Sequence, residues 1–472
     1  MDSAWLLHDG AVLDFRAGGA MDFKLRFTDK EITPWGGMGV MKRMLDHLGF
    51  ESALSSCGLP QPQSNRGYAA EQLIRQFMLA VWCGANRFEH AEVTRFDATL
   101  GKVFGFSKMA NFKAIVRLFG KFNQALNGQV FGFLYRWLFG QVAIGDITLD
   151  LDSTVVTRYG IQEGAARGYN ASKRGRLSHH PLMAFVSDLR MIANFWLRPG
   201  NSHTANNVIA FLDDTQDHLG DKHIGLLRAD SGFCDDAFLR HLQSRSIPYI
   251  VALRLNQPLQ RSLVQHGGWW ALDTGIELTA YDYQAPSWQA PRRVIGIRQH
   301  IQQRPQAKGK TLSLFANDQV QGHWRYAALV TDLALPAQEV WRLYRGRADC
   351  ENRIKELKYD FGADSFNAHS FWATEAALQT TMLAFNLMSL LRQAVLRSAS
   401  SLPGQNVQHT LKTLRYKLFA QPAYLTHEGR KPVLILATAL QRREWLQGIW
   451  DQAKTFDVPV LLPSNYCPKP SG

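Results

Sequence analysis

Apolar residues in the first 140 positions recur at helical spacing, as in Val40, Met44, Leu45 and Leu48 and again in Phe112, Ile115, Val116, Leu118 and Phe122, so residues 1–140 are expected to be mainly helical. Gly36, Gly37, Pro60 and Gly67 punctuate that region. The period then shortens. Residues 147–156, 181–187 and 191–197 read as strands, the last two joined by a turn at Asp188, Leu189 and Arg190. A helix over 204–219, a buried strand over 224–229, a helix over 235–244 and a strand over 247–253 follow. Three meandering strands and then alternating units predict an α/β core over 141–253, a mixed sheet with helices on its faces. Residues 254–330 break into short candidate strands (277–283, 292–300, 311–316 and 324–331), which reads as a β-rich insertion. Residues 331–400 return to helix, from Pro336 to about Tyr359 and over 374–397, and 401–472 form a basic C-terminal region that Pro403, Gly404, Pro422 and Pro432 interrupt.

Three acidic positions stand where such a sheet does chemistry. Alternation along 147–156 puts Thr148, Asp150, Asp152 and Thr154 on one face, so Asp150 and Asp152 are rivals. Asp152 is preferred, because Ser153 and Thr154 follow it to fix its orientation and it lies nearer the carboxyl half of the strand. Asp230 ends an apolar strand before a Ser-Gly turn, the carboxyl-end position where open α/β sheets hold ligands. On the helix after Pro336, Tyr344, Arg347, Glu351 and Lys358 fall within a sector of roughly 60°. Leu343, Cys350, Ile354 and Leu357 form an adjoining apolar stripe that can dock the helix on the sheet. The plainer reading makes each Asp a cap or turn residue and Glu351 a surface partner of Arg347 and Lys355.

Charge narrows the partner. Lys and Arg total 53 against 40 Asp and Glu, a formal +13 that favours a polyanion over a small neutral ligand. One basic cluster holds Lys102, Lys108, Lys113, Arg117, Lys121 and Arg136; a second holds Arg158, Arg167, Lys173, Arg174 and Arg176. Hydrophobic content of 46% with 20% charged residues excludes a disordered or collagen-like chain. The longest uncharged helical run, between Glu375 and Arg392, is too short and too polar for a bilayer, and the Met-Asp-Ser-Ala-Trp start lacks a secretory pattern, so a cytoplasmic protein is expected. Five cysteines with no Cys-x-x-Cys pair argue against a disulfide framework or structural zinc, and Cys234 and Cys350 read as packing residues. His179, His180 and His203 are weak candidates near a phosphate, and Trp269, Trp270, Trp288 and Trp324 read more readily as the core of the insertion than as base-stacking groups.

The spacing Tyr-(2)-Arg-(3)-Glu-(6)-Lys at Tyr344, Arg347, Glu351 and Lys358 resembles the signature of DDE transposases from bacterial insertion sequences. The resemblance extends to Asp-Ser-Thr at 152–154, Arg-Ala-Asp-Ser-Gly-Phe at 228–233 and Arg-Pro-Gly-Asn-Ser-His-Thr at 198–204, and it covers most of residues 30–400 in layout. It implies a ribonuclease H-like core in which Asp152, Asp230 and Glu351 are the catalytic, metal-binding triad. It further implies that Tyr344, Arg347 and Lys358 contact phosphates of the transposon end. Lys173, Arg174 and Arg176 join them as DNA-binding candidates on charge.

Elementary electrostatics gives that triad a reason. Three carboxylates within ~5 Å repel by roughly 3 kcal/mol per pair at an effective dielectric of 20, so the site needs protons or hard cations. Oxygen-only ligands favour Mg²⁺ or Mn²⁺ over zinc, and two such ions suit in-line phosphodiester displacement. The expectation is a bacterial, nucleoid-associated DNA transposase that acts on double-stranded DNA, both terminal inverted repeats and target, as a homodimer in a synaptic complex away from membranes. A stand-alone metal-dependent nuclease and a catalytically silent DNA-binding derivative are the alternatives.

Overall fold

The computed structural model describes residues 25–62, 67–170, 173–302, 320–321, 323–397 and 409–464. Amphipathic spacing folds the N-terminal part into α1 (Met38–His47), α2 (Ala70–Trp82), α3 (Phe112–Phe119) and α4 (Gln124–Gly140), with shorter helical segments between them. Asn111 and Asn123 cap α3 and α4, their side-chain oxygens accepting from the Ala114 and Leu126 amides.

Among the described residues ten strands form one mixed sheet, nine of them in line: β1 (Ile147–Ser153), β2 (Leu182–Val186), β3 (Met191–Trp196), β4 (Ile224–Ala229), β5 (Tyr249–Ala252), β6 (Trp270–Asp273), β7 (Ile276–Tyr283), β8 (Arg292–His300) and β9 (Trp324–Thr331), with the short strand Val320–Gln321 pairing antiparallel with β9. The order of the nine across the sheet is β6, β7, β8, β9, β5, β4, β1, β2, β3. β1 pairs parallel with β4 and β4 parallel with β5, whereas β2 runs antiparallel to both β1 and β3. The residue 254–330 segment extends this sheet: β9 pairs antiparallel with β5, Thr331 opposite Ile250, and β8, β7 and β6 continue outward. The strand expected over 311–316 lies outside the described residues. β6 was not expected, being four residues long with two exposed positions and no alternation to betray it.

Helices α5 (Val208–Leu219), α6 (Asp236–Ser244), α7 (Gln257–Gln265), α8 (Ala337–Arg345), α9 (Ala348–Asp360) and α10 (Phe371–Leu390) complete the core, and α11 (Leu440–Thr455) folds back on α1, where Arg43 lies over the Trp450 ring. α10 is apolar on every side and almost wholly buried. Its polar side chains do the work of a further strand at the free edge of β3 and the loop after it. Asn386 accepts from Ile192 N at 2.7 Å and donates to Ile192 O at 2.8 Å, Gln379 donates to Phe195 O, and Glu375 accepts from Leu197 N at 2.9 Å. An edge that would otherwise invite another chain is thereby satisfied. None of the helices among the described residues is long and apolar enough to cross a membrane.

Two expected helices end elsewhere. The helix expected over 204–219 begins only at Val208, because Asn207 takes a left-handed conformation at φ 61° and residues before it belong to a loop. The continuous helix expected from Pro336 breaks into α8 and α9 at Gly346 and Arg347. Space explains the glycine. A Cβ on Gly346 would lie 2.5 Å from Nη1 of Arg228, a guanidinium pinned in place by its own bonds.

Candidate active site

β1 and β4 lie side by side and parallel with Leu151 opposite Ala229, so the next residue on each strand, Asp152 and Asp230, stands at the same level at the carboxyl ends. Asp230 turns the chain there: its Oδ1 accepts from Gly232 N at 2.9 Å and begins a short 3₁₀ turn, Ser231–Phe233. Two residues earlier the same register sets Asp150 opposite Arg228. That pair is bidentate and fully buried, with Nε 2.6 Å from one Asp150 oxygen and Nη2 2.8 Å from the other. The remaining Arg228 donors reach Leu343 O and Ser187 Oγ. Asp150 is therefore committed to a structural ion pair, while Asp152, at the strand end, keeps a little exposure and meets Arg347 instead.

α9 crosses the carboxyl end of β1 on the buried stripe of Cys350, Ile354 and Leu357, the stripe expected from the sequence. Arg347, at its start, donates from Nη2 to Asp152 Oδ1 and to Leu151 O, and Nη1 stands 3.6 Å from Glu351 Oε1. Lys358, two turns below Glu351, donates to Thr154 Oγ1 and Val155 O. Burial raises the Asp152 carboxyl to about 6; Arg347 opposes the rise, and the charges of Asp230 and Glu351 add to it. All three acids thus act on one neighbourhood. Burial works against the Arg347 cation, yet Asp152 and then Tyr344 hold it well above the usual arginine range. Burial also lowers Lys358, against the pull of Asp364 and Asp152.

The DNA-binding candidates divide by exposure. Lys173, Arg174 and Arg176 are exposed, beside a small sheet (Val156–Thr157, Ala166–Arg167, Leu177–His179) that springs from the end of β1. Tyr344 is buried against Leu226, Ile250, Leu329 and Trp341, and burial pushes its hydroxyl up to about 12. Arg347 is only 7% exposed, and Lys358 is partly covered. Arg158 does not belong to the solvated basic cluster in which its sequence position puts it: it is buried, donating to His179 Nδ1 at 3.0 Å and to Asp364 O at 3.1 Å. The first basic cluster, Lys102, Lys108, Lys113, Arg117, Lys121 and Arg136, is exposed throughout.

Two residues within the 198–204 and 228–233 segments have organising roles that the sequence does not show. Arg228 is one; its partner is visible only once the β1/β4 register is known. Arg198 is the other. Its guanidinium donates to the carbonyls of His180, His203, Thr204 and Asn206, gathering the 198–207 loop so that Thr204 Oγ1 meets Ser153 Oγ at 3.3 Å beside Asp152. Gly200 in that loop has no room for a side chain, a Cβ there coming 2.0 Å from Ser178 O. His179 and His180 are buried and engaged, through Glu163 O and Ser202 O, and burial lowers both. In the insertion, Trp288 is buried and Arg298 is sandwiched between Trp269 and Trp324, at 4.5 and 4.4 Å from the ring centres. Cys234 and Cys350 are held as thiols by burial.

As donors, Asp152, Asp230 and Glu351 offer only carboxylate oxygens, the chemistry that fits Mg²⁺ or Mn²⁺. Among the described residues no three His, Cys, Asp or Glu side chains stand close enough to hold a metal as they are placed. The Arg347 guanidinium reaches two of the three acids instead.

No curated protein matches the chain in sequence. Among solved structures, it is similar to a piggyBac transposase synaptic complex with hairpin DNA, at 12% identity and a TM-score of 0.46 over 81% of this chain and 79% of that one. A family model, transposase DDE domain group 1, matches residues 15–455. Nearly the whole chain, from the helical N-terminal region through the acids on β1 and α9 to the helix that folds back on α1, belongs to that transposase family.

Proposed function

We propose that this transposase is of the bacterial insertion-sequence type with the Tyr-Arg-Glu-Lys signature, and that it cleaves the ends of its element and joins them to target DNA. The observation that carries this reading is the convergence at one sheet edge: Asp152 and Asp230 at the same level of adjacent parallel strands, with Glu351 on α9 sharing the Arg347 guanidinium with Asp152. The strand order β3, β2, β1, β4, β5, with β2 alone antiparallel in that set, supports a ribonuclease H-like core.

In this reading Asp152, Asp230 and Glu351 would hold a pair of Mg²⁺ or Mn²⁺ ions, which supply Lewis acidity for an attacking water or 3′-hydroxyl and for the leaving oxygen. The chain's own part is positional. Ser153 and Thr204 brace the strand end beside Asp152, and Gly232 orients Asp230 through its amide. Lys173, Arg174 and Arg176 receive DNA phosphates on the exposed side, Arg by a forked contact and Lys as a point charge. Holding two element ends together requires a homodimer in a synaptic complex.

Incubation with labelled element ends, Mg²⁺ and a target plasmid tests the proposal. Joined products are expected from the wild-type chain, and Asp230→Asn and Glu351→Gln should bind the ends without cutting them. Cut but unjoined DNA would reassign the protein as a stand-alone nuclease, and retarded, intact DNA as a silent binder.

A further inference from the structure

The arginine of the Tyr-Arg-Glu-Lys pattern is expected to face DNA, yet Arg347 is turned inward. Its Nη2 donates to Asp152 and to Leu151 O, its Nη1 approaches Glu351 Oε1 to 3.6 Å, and its side chain is only 9% exposed. The fit is incomplete: Nε is buried and has no hydrogen-bond partner. Arg228, by contrast, bonds through all three of its nitrogens and is a permanent part of the core. One cation is locked, and the other is held chiefly by two carboxylates.

We propose that Arg347 is a resident counter-cation that competes with divalent metal for Asp152 and Glu351, and that DNA phosphate relieves the competition by drawing the guanidinium away. This rests on the metal-binding reading of the three acids. A guanidinium and a divalent ion compete for the same carboxylate charge, and an arginine left buried without its partner beside a metal is disfavoured. A phosphate offers the displaced fork a bidentate partner of the same geometry. By linkage, whatever binds Arg347 outside the centre raises the affinity for metal inside it, by the same factor in both directions. The consequence is a centre that stays poorly charged with metal until DNA arrives.

The test is calorimetric titration of Mn²⁺ into the full-length, DNA-free protein, comparing wild type with Arg347→Ala and Arg347→Lys. Arg347→Ala should bind Mn²⁺ more tightly, by roughly tenfold for the loss of one competing charge beside the ligands, whereas an ordinary supporting neighbour of the ligands would weaken the metal when removed. Arg347→Lys is the variant better able to keep the fold, and as a single point charge that cannot bridge both acids it should fall between the two. Thermal unfolding of each variant verifies that it is folded before titration. Equal or weaker Mn²⁺ binding in both variants overturns the competition and leaves the metal reading standing. If none of the three proteins binds Mn²⁺, the metal reading fails and this proposal with it.

Discussion

Asp150 and Asp152 sit two residues apart on one face of one strand, and their neighbours separate their roles. Asp150 accepts both arms of a buried arginine; Asp152 stands one step further along, where the strand ends and Arg347, Asp230 and Glu351 meet. Burying an ion pair adds little net stability, but removing one partner leaves an uncompensated charge. Arg228→Met should therefore destabilise the chain by roughly 3–5 kcal/mol, seen as a lower urea midpoint with an unchanged slope; a midpoint within error of wild type would remove Arg228 from the core. The alternation that makes the two Asp residues rivals is legible in sequence. What separates them is not, because the choice depends on Arg228, 78 positions away, arriving opposite Asp150 in the parallel register.

At the level of elements, period and apolarity locate β1 to β5 and α6 to within two or three residues, since each is a buried strand or amphipathic helix with one dominant face. The break between α8 and α9 leaves no trace in the periodicity, because Gly346 and Arg347 both keep right-handed helical angles and the apolar stripe runs through them. At the break the Arg228 guanidinium lies against Gly346 and takes the Leu343 carbonyl. The polar side chains of α10 are similarly opaque: Glu375, Gln379 and Asn386 look like reasons against burial until the edge of β3 is seen to need them.

That arrangement has a pH signature. Burial pushes Glu375 from 4.5 up to about 7, against its bonds from Leu197 N and Asn127 Nδ2. The folded chain thus holds this proton more tightly than the unfolded one. The stability that Glu375 contributes is complete below about pH 4.5, falls as the pH rises, and is lost by about pH 7. Glu375→Gln should flatten that part of the stability–pH profile and leave the variant more stable than wild type at pH 8 by roughly 2–3 kcal/mol. Parallel profiles for the two proteins would show that Glu375 does not titrate with folding.

For the molecule as a whole, the sequence made the α/β core and the β-rich segment readable, whereas the joining of that segment to the central sheet through β9 and β5 depends on long-range pairing that no local pattern encodes. The basic clusters illustrate the same limit. Lys102 to Arg136 and Lys173 to Arg176 face outward as charge alone suggests, but Arg158 and Arg347 are drawn inside by His179 and Asp152, partners supplied by folding. If the exposed cations hold DNA as proposed, they are different side chains from the three acids, so binding and chemistry should be separable by mutation.

Asp152, Asp230 and Glu351, which the fold brings to one sheet edge, are proposed to hold metal together. Anomalous diffraction from crystals of the protein grown with Mn²⁺ and a duplex ending in a 3′-hydroxyl tests it most directly. The predicted result is Mn²⁺ density about 2.1 Å from oxygens of Asp152, Asp230 and Glu351, with the Arg347 guanidinium moved from Asp152 to a phosphate. Density absent from these side chains, with Arg347 still bonded to Asp152 beside bound DNA, would contradict it.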